Sequence, residues 1–164
     1  MPFDGTGSPP AHVAPQQRVG LTMEELVEAI KTEGTDLDRP TVVALMADVG
    51  HLARLPTQRR YLLSSDAERW GLGRNVRPKR GFPFPIVYPE HVPMVIRSLG
   101  WSWIKERVAS IADMRSRREF LVRYYNHLPV ATLVRLSGSK KRTVELHLAR
   151  LRKAPASQVA DLRM

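Results

Sequence analysis

The chain contains no cysteine and no uninterrupted apolar run of about 20 residues. Without cysteine, disulfides, thiolate metal sites and cysteine nucleophiles are excluded, and the composition is compatible with a reducing cytoplasm. Without a long apolar run, no transmembrane helix is predicted. The N-terminus, MPFDGTGSPPAHVAPQQ, has no cationic start followed by an apolar core, so it does not resemble a signal peptide. We therefore expect a cytoplasmic protein with no membrane contact.

The sequence also lacks the local motifs of common active sites. The five histidines, at positions 12, 51, 91, 127 and 147, form no HExxH motif and no paired metal-ligand spacing. Asp36 and Asp38 lack the glycine-bearing loop of a calcium site, and there is no Walker or dinucleotide-binding loop. We predict no enzyme activity, no metal and no cofactor. A nuclease with scattered carboxylates is the alternative, because such ligands leave no local signature.

Positive charge is abundant and lies in one half of the chain. The 26 basic and 16 acidic side chains give a net charge of +10. Residues up to Glu68 include 6 basic and 10 acidic side chains, a net −4, whereas the rest include 20 and 6, a net +14. Such a half-chain attracts a polyanion through counterion release, and the pI near 10.6 is typical of nucleic-acid binders. The alternatives are a solvated basic surface and a patch for anionic lipid.

The segment from Leu128 to Lys153, LPVATLVRLSGSKKRTVELHLARLRK, has the pattern of two short helices separated at Gly138. Pro129 is suited to begin the first helix. Four residues give that helix an apolar face: Ala131, Leu133, Val134 and Leu136. In the second helix, apolar residues at i, i+4 and i+7 predict one buried stripe: Val144, Leu148 and Leu151. The residues left to face outward are Lys140, Lys141, Arg142, Glu145 and Ala149.

This pattern resembles the helix-turn-helix of many bacterial and phage DNA-binding regulators. That motif runs from an apolar helix through Gly and a short turn to cationic or hydroxyl residues, Val, three residues and Leu. The chain matches it at Leu133, Gly138, Arg142, Thr143, Val144 and Leu148. It departs from it at Ser139, where an apolar residue often packs under the turn. The resemblance implies that the second helix enters the DNA major groove and contacts bases through Lys140, Lys141, Arg142 and Glu145.

Six further arginines are candidates for contacts with DNA phosphates. Two of them follow the base-contacting residues on the second helix: Arg150 and Arg152. Four lie on the preceding helical segment, which would support that helix: Arg115, Arg117, Arg118 and Arg123. The alternative for these four is that they only keep the surface soluble.

Residues 20 to 100 are predicted to form a small α+β unit. Helices are expected at 21–33, with Thr22 as N-cap, at about 40–51 and at 89–99, and a single helical turn at 66–70. LARLPTQRRYLLSS predicts a hairpin, and Pro83 and Pro85 confine the extended segment 82–88 to a sheet edge. The first helix is expected to bury Met23, Leu26 and Ile30, and the second Val43, Ala44, Leu45 and Ala47.

Part of this unit resembles the winged-helix segments of phage and mobile-element regulators. The residues that carry the resemblance are VVALMADVGHLARLPTQRRYLLSSDAERWGLG and FPIVYPEHV, the second being similar to the closing strand and helix. A winged helix that binds DNA normally has basic residues on its second or third helix. The segment from Thr41 to Val49 has none and contains Asp48. We therefore predict that this helix packs against the core and does not contact bases.

The basic segment from Arg69 to Arg80, RWGLGRNVRPKR, has two interpretations. In the first it is a flexible basic wing or loop that follows phosphates, with four candidate residues: Arg74, Arg77, Lys79 and Arg80. In the second it is a solvated connector between a helix and a strand, with Trp70 buried.

A long helical region is expected from Ile104 to Asn126, in which MRSRRE is a candidate break. Its predicted interior positions are Ile104, Val108, Ile111, Phe120 and Val122. For Trp101 and Trp103, which precede it, core or interdomain packing is favoured over base stacking.

The predicted fold is mainly α with a small β-hairpin or wing. It comprises a disordered tail (1–19), a winged-helix-like domain (20–100), a helical helix-turn-helix domain (101–154) and a flexible tail (155–164). We expect a sequence-specific regulator of transcription that binds double-stranded DNA and is associated with the nucleoid. The alternatives are a phage DNA-packaging or assembly protein and an RNA-binding or antitermination factor. A protein partner in the transcription machinery is expected to contact the acidic N-terminal half. A homodimer is the default expectation, because paired half-sites double the contact with DNA.

Overall fold

The computed structural model describes residues 19–153, so the tails predicted at 1–19 and 155–164 lie outside the described residues except for Val19. The described part is mainly helical and contains two small antiparallel sheets, which confirms the mainly α class with a small hairpin, while the winged-helix arrangement stays a prediction. Its elements are α1 (Met23–Thr32), α2 (Arg39–Asp48), β1 (Leu52–Arg54), β2 (Tyr61–Leu63), α3 (Ser65–Arg69), β3 (Gly73–Val76), β4 (Phe84–Val87), a 3-10 turn (Pro89–His91), α4 (Val92–Leu99), α5 (Trp101–Ser110), α6 (Met114–Tyr124), α7 (Val130–Ser137) and α8 (Lys141–Lys153).

The first two helices begin at side-chain caps. Thr22 and Glu25 form a capping box: the Thr22 hydroxyl accepts from the Glu25 amide, and the Glu25 carboxylate accepts from the Thr22 amide at 2.8 Å. Thr22 is therefore the N-cap that the sequence predicts. Asp38 caps α2 by accepting from the amide of Thr41 at 3.0 Å, so this helix begins one residue before Pro40.

The inward face of α2 differs from the prediction. Its buried residues are Thr41, Val42, Leu45 and Met46, whereas Val43, Ala44 and Ala47 are only partly buried. Thr41 on this face shares a buried hydrogen bond of 2.6 Å with Thr132, a partner 91 residues away in sequence. A hydroxyl that is paired in this way can occupy the core, and the inward face then includes it.

Two hairpins lie side by side in the N-terminal half. In the first, β1 pairs with β2, which confirms the hairpin expected in LARLPTQRRYLLSS. In the second, β3 pairs with β4, and Gly73 lies opposite Val87. The side chain of Asn75 joins the hairpins, because its Oδ1 accepts from the Leu63 amide at 2.9 Å and its Nδ2 donates to the Leu63 carbonyl at 3.1 Å. One amide side chain thus hydrogen-bonds as a neighbouring strand would.

The prediction of a flexible loop across residues 69–80 is wrong for the central part of that segment, because β3 is a paired strand. The strand approaches β4 so closely that a Cβ on Gly73 would lie 1.9 Å from the carbonyl oxygen of Ile86, so glycine is required there. The segment that contains β3 is rich in glycine, proline and cations, which is why its local composition did not indicate a strand.

The segment from Trp101 to Tyr124 forms two helices instead of one long region. The break lies at residues 111–113, just before the MRSRRE segment, and α6 begins where Asp113 accepts from the Ser116 amide at 2.8 Å. Trp101 is 2% exposed, which confirms the packing role, and its Nε1 donates to Asp36 Oδ1 at 2.8 Å. The packing role expected for Trp103 is wrong, because that side chain is 57% exposed.

One apolar core extends through the described residues. It includes Leu26 and Ile30 of α1, Leu45 of α2, Leu121 of α6 and Leu133 of α7 in a single cluster. Helices from both halves of the chain therefore bury their apolar faces against one another, and the division into two domains near residue 100 stays a prediction. Within residues 19–153, no helix combines the length and the apolar surface that crossing a bilayer requires.

Two leucines of α8 provide a matched test of this core. Leu148 is 5% exposed and belongs to the core, whereas Leu146 is 51% exposed. We expect Leu148→Ala to lower the free energy of unfolding by about 2–5 kcal/mol, because it removes buried methyl groups and leaves a cavity. Leu146→Ala should change it by less than about 0.5 kcal/mol. Urea unfolding followed by circular dichroism measures both, and equal losses would contradict the placement of α8.

Candidate nucleic-acid interface

Helices α6, α7 and α8 pack on one another, each contacting the other two. The helix α7 ends where Gly138 adopts a φ of 72°, a left-handed conformation that side chains other than glycine rarely adopt. Only residues 138–140 separate α7 from α8. The two short helices divided at Gly138 are therefore present as the sequence predicts, and a third helix supports both.

Polar side chains pack beneath this turn, where the resembled motif often has an apolar residue. Ser137 and Ser139 are both buried, and the Ser139 amide donates to the Ser137 hydroxyl at 3.1 Å. The hydroxyl of Ser139 lies 3.4 Å from Arg118 Nη1, which donates to it. The departure at Ser139 thus places a paired hydroxyl under the turn, and hydrogen bonds replace part of the apolar contact.

The two sides of α8 divide as the sequence predicts. Val144 and Leu148 are buried and Leu151 is partly buried, which confirms the apolar stripe. All five residues expected to face outward are exposed: Lys140, Lys141, Arg142, Glu145 and Ala149. The structure therefore brings the four candidate base-contacting side chains together at the start and on the outer side of one helix. Lys141 Nζ lies 3.8 Å from Glu145 Oε1, an exposed i,i+4 pair that stabilises the helix only slightly.

The apolar face of α7 is only partly the predicted one. Leu133 is buried, and Val134 and Leu136 are partly buried, but Ala131 is exposed. The buried positions next to Leu133 are instead polar, because Thr132 pairs with Thr41 and Ser137 pairs under the turn. Polar residues with distant hydrogen-bond partners carry no periodic signal, so the apolar pattern alone did not reveal them.

The six arginines assigned to phosphates fall into two groups. Arg115, Arg123, Arg150 and Arg152 are exposed, and Arg115 Nε donates to Glu119 Oε1 at 2.8 Å. This hydrogen bond holds the pKa of the Glu119 carboxyl below its ordinary value. Arg117 and Arg118 are only partly exposed, and each donates to groups of the protein itself.

Arg117 holds the end of α5. Its Nε donates to the carbonyl of Ile111 at 2.6 Å, and its Nη2 donates to the carbonyl of Ala112 at 3.2 Å. These carbonyls belong to the break between α5 and α6, where no helix supplies partners for them. Arg117 is therefore a structural residue in the folded protein, a role that sequence reasoning missed because the acceptors are backbone atoms.

A shallow groove runs along the surface between α6 and α8. Its lining includes Glu119, Arg123 and His147. Partial burial, together with the positive charges of Arg118 and Arg150, lowers the pKa of His147 below its ordinary value. The imidazole is therefore neutral at neutral pH and adds no charge to the basic surface.

The four residues of the predicted basic wing are exposed on the second hairpin. Arg74 lies on β3, and the other three lie on the loop between β3 and β4: Arg77, Lys79 and Arg80. Phe82 follows them, 52% exposed, and the guanidinium of Arg60 lies 4.0 Å from the centre of its ring. Trp70 is 73% exposed, so the burial expected for it in the connector interpretation is wrong.

A surface patch of aromatic side chains, which sequence reasoning missed, lies between α5 and α6. The ring of Phe120 is 5.2 Å from that of Tyr124 and 5.8 Å from that of Tyr125. Arg107 lies 5.9 Å from the centre of the Phe120 ring. These side chains line a groove together with the exposed Trp103. The spacing of Phe120 and Tyr124, i and i+4 on one helix, is the signal that indicates such a patch.

The chain matches no protein-family model, no curated protein and no solved structure. Within residues 19–153, no cluster of three or more histidine, aspartate or glutamate side chains is arranged to hold a metal ion.

Replacing Arg117 or Arg115 by alanine distinguishes an arginine that supports the fold from one that lies only on the surface. We expect Arg117→Ala to lower the free energy of unfolding by about 1–3 kcal/mol, because two carbonyls lose their charged donor. Arg115→Ala removes the same charge from an exposed ion pair and should leave stability unchanged. Thermal and urea unfolding measure both variants. If Arg117→Ala were as stable as Arg115→Ala, the guanidinium of Arg117 would be free for other contacts.

Proposed function

We propose that the protein binds double-stranded DNA in a sequence-specific manner through α8 and regulates transcription. The observation that supports this most directly is the exposed basic side of α8. Lys141, Arg142 and Glu145 project from a helix whose opposite side is buried in the core, and the exposed Lys140 directly precedes that helix. A helix mounted in this way fits the major groove, which is about 12 Å wide. Arginine and lysine pair with guanine there, and glutamate accepts from cytosine.

Different arginines have different roles in the proposed complex. Arg142 contacts a base, while Arg150 and Arg152, further along α8, contact phosphates. Arg115 and Arg123 are exposed on α6 and remain candidates for flanking phosphates. The remaining two candidates, Arg117 and Arg118, position α5 and the turn before α8 and contribute to DNA binding mainly through their charge.

The N-terminal half is proposed to act as a winged-helix-like unit whose second hairpin is the wing. The exposed cations of its loop, Arg77, Lys79 and Arg80, follow the DNA backbone. The helix α2 supports the core, since Thr41, Val42 and Leu45 are buried and its only basic residue is Arg39 at its first position. The acidic charge of this half suits a protein partner in the transcription machinery. We further propose that the protein forms a homodimer and lies in the cytoplasm in association with the nucleoid.

An RNA-binding or antitermination factor is the second candidate function. The exposed rings of Trp70 and Phe82 lie on the basic second-hairpin region, and aromatic rings beside cations are the usual platform for unpaired bases. A phage DNA-packaging protein would use the same face of α8, and ring-like oligomers would distinguish it from a regulator. Preference for structured RNA over duplex DNA would distinguish the RNA-binding factor.

Two arginines on α8 test the assignment of base and phosphate contacts. We expect Arg142→Ala to remove about 1–3 kcal/mol of discrimination at one base pair and to leave random-sequence affinity nearly unchanged. Arg150→Ala should weaken binding to all sequences alike and reduce the slope of log K against log salt by about 1. Fluorescence anisotropy with a selected duplex and a scrambled one measures both effects.

Each variant is the control for the other, since both remove one exposed positive charge from the same helix. Equal losses of specific and scrambled binding on Arg142→Ala would contradict its role as a base contact. Tighter binding of a structured RNA than of any duplex would contradict the proposal as a whole.

A further inference from the structure

A cavity of about 450 Å³ lies in the N-terminal half, away from α8. It is formed by α1, α2, the first hairpin and residues 83–85 at the beginning of β4. The residues that determine its chemistry are Arg39, Arg59, Arg60, Val43, Leu52 and Phe84. Small-molecule sites typically have volumes of about 300–1,000 Å³, a mainly apolar lining and a few polar groups that orient the ligand. The size of this cavity fits that description, while its lining is a mixture of apolar side chains and three arginines.

The cationic side of the cavity is unusual for this half of the chain. Only 6 basic residues occur among the first 68, and three of them line the cavity. Arg39 Nη1 pairs with Glu24 Oε1 at 2.6 Å, so its charge is balanced. Neither Arg59 nor Arg60 has a carboxylate partner among residues 19–153. Two exposed guanidinium groups of the lining are therefore available to an anion.

Four of the lining residues are anchored in or against the apolar core. Met23 and Leu52 belong to the core, and Val43 and Tyr61 pack against it. The Arg60 guanidinium is positioned by its stacking on Phe82, 4.0 Å from the ring centre. A guanidinium fork binds a carboxylate or phosphate through two parallel hydrogen bonds, while an apolar wall favours a ring or a branched hydrocarbon. A suitable ligand therefore combines one anionic group with an apolar body.

We propose that this cavity binds a small organic anion, whose carboxylate or phosphate group contacts Arg59 and Arg60 and whose apolar body lies against Val43, Leu52 and Phe84. The site is concave and of the size of a single small molecule, which favours such a ligand over a nucleic-acid strand. The proposal does not depend on DNA binding by α8.

The test is a titration of the isotope-labelled protein with benzoate, phenyl phosphate and inorganic phosphate, followed by amide NMR shifts in the absence of DNA. Benzamide is the control, because it matches benzoate in shape and carries no charge. We expect saturable shifts at Val43, Leu52, Tyr61 and Phe84 with benzoate or phenyl phosphate. Benzamide and inorganic phosphate each lack one half of the recognised chemistry and should bind at least about tenfold more weakly. The tighter of the two aromatic anions identifies the preferred charged group.

Variants of the first hairpin test whether binding depends on the arginines that line the cavity. Arg59→Gln and Arg60→Gln should each raise the Kd of the tighter anion about tenfold or more. Arg54→Gln is the matched control, because Arg54 lies on β1 of the same hairpin, is exposed and does not line the cavity. Val43→Phe should block binding without changing charge, which provides a second variant if loss of an arginine disturbs folding.

Several results would overturn the proposal. These are the absence of saturable shifts at the cavity with either aromatic anion, equal binding of benzamide, and unchanged binding in folded Arg59→Gln and Arg60→Gln. A single-stranded or duplex oligonucleotide that shifts the same amides, and loses this effect in the same variants, would assign the surface to nucleic acid instead. Because the titration contains no DNA, its failure leaves the role proposed for α8 untouched.

Discussion

Burial of Val144 and Leu148 is the constraint on which the candidate interface depends. A helix that fixes one stripe in a core also fixes what its other side presents, so Arg142 and Glu145 are exposed because Val144 and Leu148 are not. The conformation of Gly138 sets where α8 begins, and the paired hydroxyls of Ser137 and Ser139 support the turn. If the stripe did not pack, the same basic residues would lie on an unordered helix and would specify no geometry.

The core that holds α8 also connects it to the N-terminal half. Thr41 and Thr132 share a hydrogen bond at full burial, and Trp101 donates to Asp36 from within the core. Each pair satisfies polar groups that would otherwise destabilise the fold, so these contacts determine where the halves can meet. The two halves place their charges on different surfaces: Asp36 of the acidic half accepts from Trp101, and the outer side of α8 in the basic half is exposed.

Local patterns predicted what depends on local chemistry. The spacing of Val144, Leu148 and Leu151 with Gly138 gave both helices of the C-terminal motif, and Thr22 marked the start of α1. Much of what the sequence did not reveal depends on partners distant along the chain. The buried pair of Thr41 and Thr132 joins residues 91 positions apart, and the anion cavity is assembled from separate segments, so neither has a continuous signature. The strand β3 was missed for a local reason, because its segment is rich in glycine, proline and cations. The structural role of Arg117 was missed because its acceptors are main-chain carbonyls.

The most direct test of the central claim is selection of bound sequences from a random duplex pool at about 0.15 M salt, where unspecific phosphate contacts are screened. The native protein should yield a defined motif, and the Lys140→Ala, Lys141→Ala, Arg142→Ala triple variant should lose it. A control variant with Arg74, Arg77 and Lys79 changed to Ala removes the same charge from the second hairpin and should keep the motif. No enriched motif, or a motif that survives in the first variant and disappears in the control, would contradict sequence recognition by α8.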